Sequence, residues 1–279
     1  MIAFIGSVFS PWYRWSGRAD PEDHVCVNVV TYGPGGRWCM TDRGRAALRQ
    51  TAERLEIGPS SLTWRDGMLT IAVDEVSTPH GQRMRGTIRL RTHGVADVEV
   101  PLTGDGAHIW RPLAPAGRIE VDLDRPGWRW SGEGYLDSNF GTRALEADFS
   151  YWTWGRFPMP GGAVTFYDAT RRDGSDLSVA LRFRDGAAER VAAPPVAALP
   201  RSGWRVRRET RCDADATPRQ VQPMLDAPFY CRSAVETVID GHATVGVHEA
   251  LDLDRFRGPW LMPMLACRVP RRAGWRRPG

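Results

Sequence analysis

The chain has 279 residues, 42% of them apolar, a soluble globular composition with enough apolar side chains for one large domain or two ordinary ones. Its 37 basic residues are all arginines and exceed the 33 acidic ones by four, a surplus that describes a solvated surface, and no nucleic-acid fold signature accompanies it. No apolar run approaches the roughly 18 residues of a membrane-spanning helix.

The first ten residues are apolar but lack a basic leader and a small-residue cleavage site, so they read as a buried strand and not as a signal peptide. The five cysteines show no Cys-x-x-Cys pair and read as reduced, buried and cytosolic. Residues 42–55 predict the one helix of any length: Leu48, Ala52 and Leu55 fall at helical spacing, Thr41 stands as N-cap and Pro59 lies just beyond. The remaining signals are those of antiparallel strands. Asp-Gly pairs, strong hairpin formers, stand at 66–67, 105–106, 173–174, 185–186 and 240–241. Residues 117–124 alternate, with Ile119, Val121 and Leu123 on one face and Arg118, Glu120, Asp122 and Asp124 on the other; residues 85–91 and 204–208 do likewise. The chain therefore reads as mainly β, its sheet edges covered by barrel or sandwich formation. Linker-like composition at 156–162 and 192–200 places the change of domain near residue 150, giving domains of 1–150 and 151–279, with residues 187–200 a loop in the second.

One stretch frames a reactive acid. Residues 132–141, Gly-Glu-Gly-Tyr-Leu-Asp-Ser-Asn-Phe-Gly, set Asp137 among glycines, with the Tyr135 hydroxyl two residues away and Trp128, Trp130 and Phe140 as apolar walls. A carboxyl walled by rings tends to keep its proton, because desolvation disfavours the anion. Upstream, Ala-His-Ile-Trp at 107–110 places His108 and Trp110 on one face of a strand. Other readings stand beside this one. Asp137 is equally placed as a turn residue in Asp-Ser-Asn-Phe-Gly. Glu133 and Asp137 are a glycosidase-like pair in a Trp-rich setting. His242, His248 and Glu249 suggest a metal, yet a hairpin there puts the two histidines on one face and Glu249 on the other, so no metal site is expected. Trp64, Trp204 and Trp260 read as packing.

His-x-Trp followed by Gly-Tyr-x-Asp-x-Asn-x-Gly resembles the acyclic carotenoid 1,2-hydratases, or hydroxyneurosporene synthases. The likeness extends to Phe-Ile-Gly-Ser-Val-Phe-Ser-Pro at 4–11, Arg-Trp-Cys-Met-Thr at 37–41, residues 247–256 and Met-Leu-Ala-Cys-Arg at 264–268, and so covers nearly the whole chain.

The resemblance implies two lipocalin-like antiparallel β-barrels, the clear helix lying in the first. It implies a hydro-lyase that needs no cofactor and adds water across the terminal 1,2 double bond of an acyclic carotenoid such as neurosporene or lycopene. Asp137 is then the proton donor, with His108, Tyr135 and Trp110 as its catalytic companions. The rings of Trp110, Tyr135, Trp152 and Trp154 face the cation, and Trp128, Trp130 and Phe140 join Trp152 and Trp154 in holding substrate. A terpenoid-binding lipocalin-like protein, or a polyene isomerase or cyclase on the same fold, is the alternative. A substrate this insoluble must be drawn from a bilayer, which predicts a cytoplasmic protein in peripheral contact with the anionic inner (photosynthetic) membrane, through Arg271, Arg272, Arg276 and Arg277 around Trp275.

Overall fold

The computed structural model describes residues 1–184 and 186–275; Asp185 of the fourth Asp-Gly pair, and Arg276 and Arg277 of the basic cluster, lie outside the described residues. The chain is mainly β, and its described α-helices are short: Pro11–Trp15, Leu145–Asp148, Leu253–Phe256 and Leu261–Ala266. It folds into two compact units. The first comprises Met1–Thr92, Gly117–Gly134 and the chain from Pro259 on; the second comprises His93–Ala116 and Tyr135–Gly258.

In the first unit a meander of Leu48–Gln50, Arg54–Ile57, Ser60–Arg65, Met68–Val76 and Arg83–Thr92 pairs antiparallel in chain order. Asp66 and Gly67 turn its third hairpin with φ of 51° and 71°, the left-handed pair that a two-residue turn requires. The alternation read at 85–91 and 117–124 buries Ile88, Leu90, Val121 and Leu123, and Ile119 pairs with Leu90, Val121 with Ile88. A smaller sheet joins Ile2–Ile5, Val25–Val30, Trp38–Met40, Asp42–Arg43 and Arg271–Arg272.

The helix expected over residues 42–55 does not form. Asp42 and Arg43 are a buried strand, each fixed by a charge: Asp42 by Arg271, and Arg43 by Glu75 at 2.7 Å. The Thr51 hydroxyl then accepts from the amides of Glu53 and Arg54, closing a turn that sets Leu48 opposite Ile57. Three apolar residues at helical spacing are too short a pattern to outweigh a buried ion pair and a side-chain-closed turn. Arg271 is accordingly an internal ion-pair partner, of Asp23 and Asp42, and not a rim residue.

Other local readings change as well. Residues 204–207 are irregular, since Ser202 accepts from Arg205 and Val206 in a turn; the strand starts at Arg208 and Trp204 is 54% exposed. Trp260, also read as packing, is 80% exposed, and Cys267 is the exposed cysteine. Within 187–200, Ala187–Arg190 and Val196–Leu199 are strands, paired with Asp176–Arg184 and Arg208–Arg211.

The second unit is built on a seven-stranded antiparallel sheet. Its order is Ala187–Arg190, Asp176–Arg184, Gly162–Arg171, Phe149–Met159, His242–Asp252, Tyr230–Ile239, Arg219–Asp226. Alternation along the strands gives it two unlike faces. One carries an apolar core of Phe157, Val164, Phe166, Ala180, Val235 and Ile239. The other carries Trp152, Trp154, Tyr167, Glu249 and Arg232.

Candidate active site

Strand register assembles the floor of the site. Tyr167 pairs with Trp154, Trp154 with Glu249 and Glu249 with Arg232, so four neighbouring strands contribute one row of side chains to one face. Trp152 stands on the same face, its ring 5.7 Å from that of Tyr167. Two further strands bring the motif residues to this row. Tyr135 stacks on Trp154 with ring centroids 5.1 Å apart and an interplanar angle of 29°. Trp110 packs on Tyr167 at 5.6 Å and donates its indole N–H to Asp137 Oδ2 at 3.1 Å. Asp137, Trp110, Tyr167, Trp154 and Tyr135 thus close a ring of contacts, the last link being the one-residue spacing that puts Tyr135 and Asp137 on one side of Trp128–Gly141.

Desolvation dominates the electrostatics. It pushes the Asp137 carboxyl up to about 6, against the Trp110 N–H, which favours the anion; the Glu249 charge adds to the rise and Arg232 opposes it. Burial holds the phenols of Tyr135 and Tyr167 well above the ordinary tyrosine range, so both are neutral hydroxyls. The Arg156 guanidinium lies over the Tyr135 ring, 5.6 Å from its centroid. The indole nitrogens of Trp152 and Trp154 are buried donors without an acceptor in the protein. The arrangement offers a proton from a largely desolvated acid at near-neutral pH, within a cluster of aromatic rings.

His108 shares a strand face with Trp110, but its imidazole engages other partners. Nε2 lies 2.8 Å from Asp148 Oδ2, and the ring meets Phe149 edge-on at 5.3 Å. Arg143 grips both oxygens of Asp148 at 3.0 Å and reaches Asp105 at 2.7 Å, which holds the Asp148 carboxyl below its usual range. Gly141, at the end of the Asp137 strand, comes so close that a Cβ there would stand 2.6 Å from His108 Nδ1.

The expected substrate walls divide. Trp152 and Trp154 belong to the cluster. Trp128 and Trp130 lie in the first unit, and Trp130 and Phe140 are each 51% exposed. Tyr167, Arg232, Asp148 and Arg143 were not singled out by the sequence, since no motif spacing links them to Asp137. Among the described residues no three His, Cys, Asp or Glu side chains form a metal-binding group. His242 instead lines a surface cavity of about 340 Å³ with Arg182 and Asp240. His248 is buried on the opposite face of the sheet from Glu249, 2.8 Å from the Glu209 carbonyl, and burial pushes its imidazole down to about 4.

The family model for Carotenoid hydratase CrtC matches residues 1–278. The chain belongs to this carotenoid hydratase family. It is 60% identical over 277 residues to the acyclic carotenoid 1,2-hydratase of Cereibacter sphaeroides and 56% identical over 279 residues to that of Rhodobacter capsulatus, with 99% of each chain covered in both cases. The family member of Thiocapsa roseopersicina is 48% identical over 98% of this chain and 69% of its own. Among solved structures, an AttH-type protein of Nitrosomonas europaea superposes with a TM-score of 0.55 and 15% identity, covering 82% of this chain and 80% of that one. That likeness concerns the fold, and it agrees with the lipocalin-like, mainly β class.

Proposed function

We propose that this carotenoid hydratase family member adds water across the terminal 1,2 carbon–carbon double bond of an acyclic carotenoid to give the 1-hydroxy product, with Asp137 as the acid. The observation that carries the reading of Asp137 is its place in the family's Tyr-x-Asp pair, desolvated and bonded to the tryptophan of the His-x-Trp pair. The neutral carboxyl gives its proton to carbon 2, and the π electrons of the double bond form the new C–H bond. Positive charge is left on carbon 1, the more substituted centre. The faces of Trp110, Tyr135, Trp154 and Tyr167 stabilise it by cation–π attraction, worth about 2 kcal/mol or more for a desolvated pair. A water oxygen bonds to carbon 1 and its surplus proton returns to the Asp137 carboxylate, so atoms and charge balance without electron transfer. The unpartnered indole N–H groups of Trp152 and Trp154 are suited to hold that water. His108, clamped by Asp148, positions the end of the Asp137 strand through Gly141.

The test is incubation of the protein with lycopene or neurosporene in lipid dispersion. A polar product heavier by one water supports the reading. Unchanged polyene, with the carotenoid demonstrably bound, contradicts it and points to a carrier.

The substrate partitions into bilayers, and we propose peripheral contact with an anionic membrane. Among the described residues no helix is long and apolar enough to cross one. In the first unit Trp260 and Met264 share a helix face, 80% and 51% exposed, and Trp15 is 53% exposed, with Arg14 and Arg268 nearby in sequence. Interfacial tryptophans flanked by arginines suit such a surface. Substituting Trp260 and Met264 by serine reduces partition onto vesicles containing anionic lipid; unchanged partition removes this contact.

A further inference from the structure

Glu249 and Arg232 form a largely buried ion pair on the face of the sheet that carries Trp154 and Tyr167, their side chains 11% and 17% exposed. Packing does not ask for charge there. The strand positions flanking the pair on the same face are Ala234 and Val247 on one side and Tyr230 and Leu251 on the other, uncharged residues, with the buried Arg156 opposite Val247. Taking two charges out of water costs several kcal/mol, and an apolar pair of similar volume is often as stable. The pair does share its sheet face with Trp154, against which the strand of the candidate acid packs. Glu249 is the strand neighbour of Trp154, on which Tyr135 stacks, and Arg232 stands one strand further away.

We propose that this pair is a positioning device for the catalytic proton: Glu249, on the strand beside Trp154, keeps Asp137 from ionising, and Arg232 both holds Glu249 in place and limits its effect. The inference rests on Asp137 being the acid. The other groups facing Asp137 are unsuited to the task. Trp110 donates a hydrogen bond that favours the anion. Tyr135 and Tyr167 are neutral, and Arg156, over the Tyr135 ring, is a cation. Glu249 is thus the anion among them, and its influence on Asp137 exceeds that of Arg232. Tyr230, whose hydroxyl accepts from Arg232 Nε at 3.1 Å, helps aim the guanidinium.

The sign follows directly. Asp137 acts while protonated, so activity is lost as pH rises through its titration. In Glu249→Gln only Arg232 of the pair remains charged, the anion of Asp137 is favoured, and the alkaline limb of the kcat/KM profile moves down by about one pH unit, a tenfold loss above the limb. Adding Arg232→Met removes the opposing charge and brings the limb back towards wild type, whereas a merely structural pair makes the double variant no better than the single one. Carbon-13 carboxyl titration of Asp137 in the same variants reads the proton without turnover. An unmoved limb and titration in Glu249→Gln, or no return in the double variant, overturns the inference. Asp137→Asn, measured alongside, separates the two claims: retained activity there removes Asp137 as the acid, while its loss with unmoved Glu249→Gln profiles removes only the role of the pair.

Discussion

Trp110 donates its indole N–H to Asp137 at 3.1 Å, joining the two sequence motifs 27 residues apart into one site. The contact fixes the carboxyl against the ring of a residue that is itself 1% exposed and packed on Tyr167. It also works against desolvation, because an N–H donor favours the carboxylate.

Replacing Trp110 by Phe keeps the ring and removes the donor. Asp137 then titrates higher than in wild type, and the alkaline limb of the pH–rate profile moves up. Rate on the plateau below the limb falls about tenfold, the equivalent of one hydrogen bond of about 1.4 kcal/mol that no longer orients the Asp137 carboxyl. A limb that moves down contradicts this reading of the contact.

Gly141 is the second test. A Cβ at this position meets His108 Nδ1 at 2.6 Å and the Ala107 carbonyl at 2.8 Å, and neither the clamped imidazole nor the backbone can withdraw freely. Gly141→Ala is expected to cost about 1–3 kcal/mol in urea unfolding. Partial recovery of that loss in Gly141→Ala combined with His108→Ala identifies the imidazole's share of the clash; an equal loss in both backgrounds contradicts that share.

In the first unit, Asp42 is fully buried and ion-paired to Arg271, with His24 Nδ1 at 3.4 Å. Arg271→Ala leaves that carboxylate without its arginine, at a cost of about 3–5 kcal/mol. A fall in Tm on the order of 10 °C is expected for a chain of this size. An unchanged Tm shows that the pair carries no stability, and would restore Arg271 as a candidate surface residue.

Much of this was legible locally. Asp66-Gly67 and Asp240-Gly241 turn hairpins with the left-handed φ pairs expected of them, and the alternation at 117–124 buries Val121 and Leu123 as read. The motifs carrying His108, Trp110, Tyr135 and Asp137 stand out because glycines and aromatic residues flank them. What escaped depends on long-range register. Tyr167, Glu249 and Arg232 reach the Trp154 row only through pairings across four strands, and no short window of sequence contains that information. The misread helix at 42–55 fails for the same reason, since Arg271 and Glu75, which hold Asp42 and Arg43 in strand form, lie far along the chain. The sequence singled out His108 as a candidate, but Asp148, its partner, sits in a short helix 40 residues later.

The most direct test of the central claim compares wild type with Asp137→Asn acting on lycopene or neurosporene in oxygen-18 water. The variant keeps the shape of the side chain and its Trp110 neighbour while removing the transferable proton. Wild type is expected to yield a hydroxylated carotenoid carrying solvent oxygen, and the folded variant to yield none. Labelled product formed equally by both proteins would contradict Asp137 as the acid.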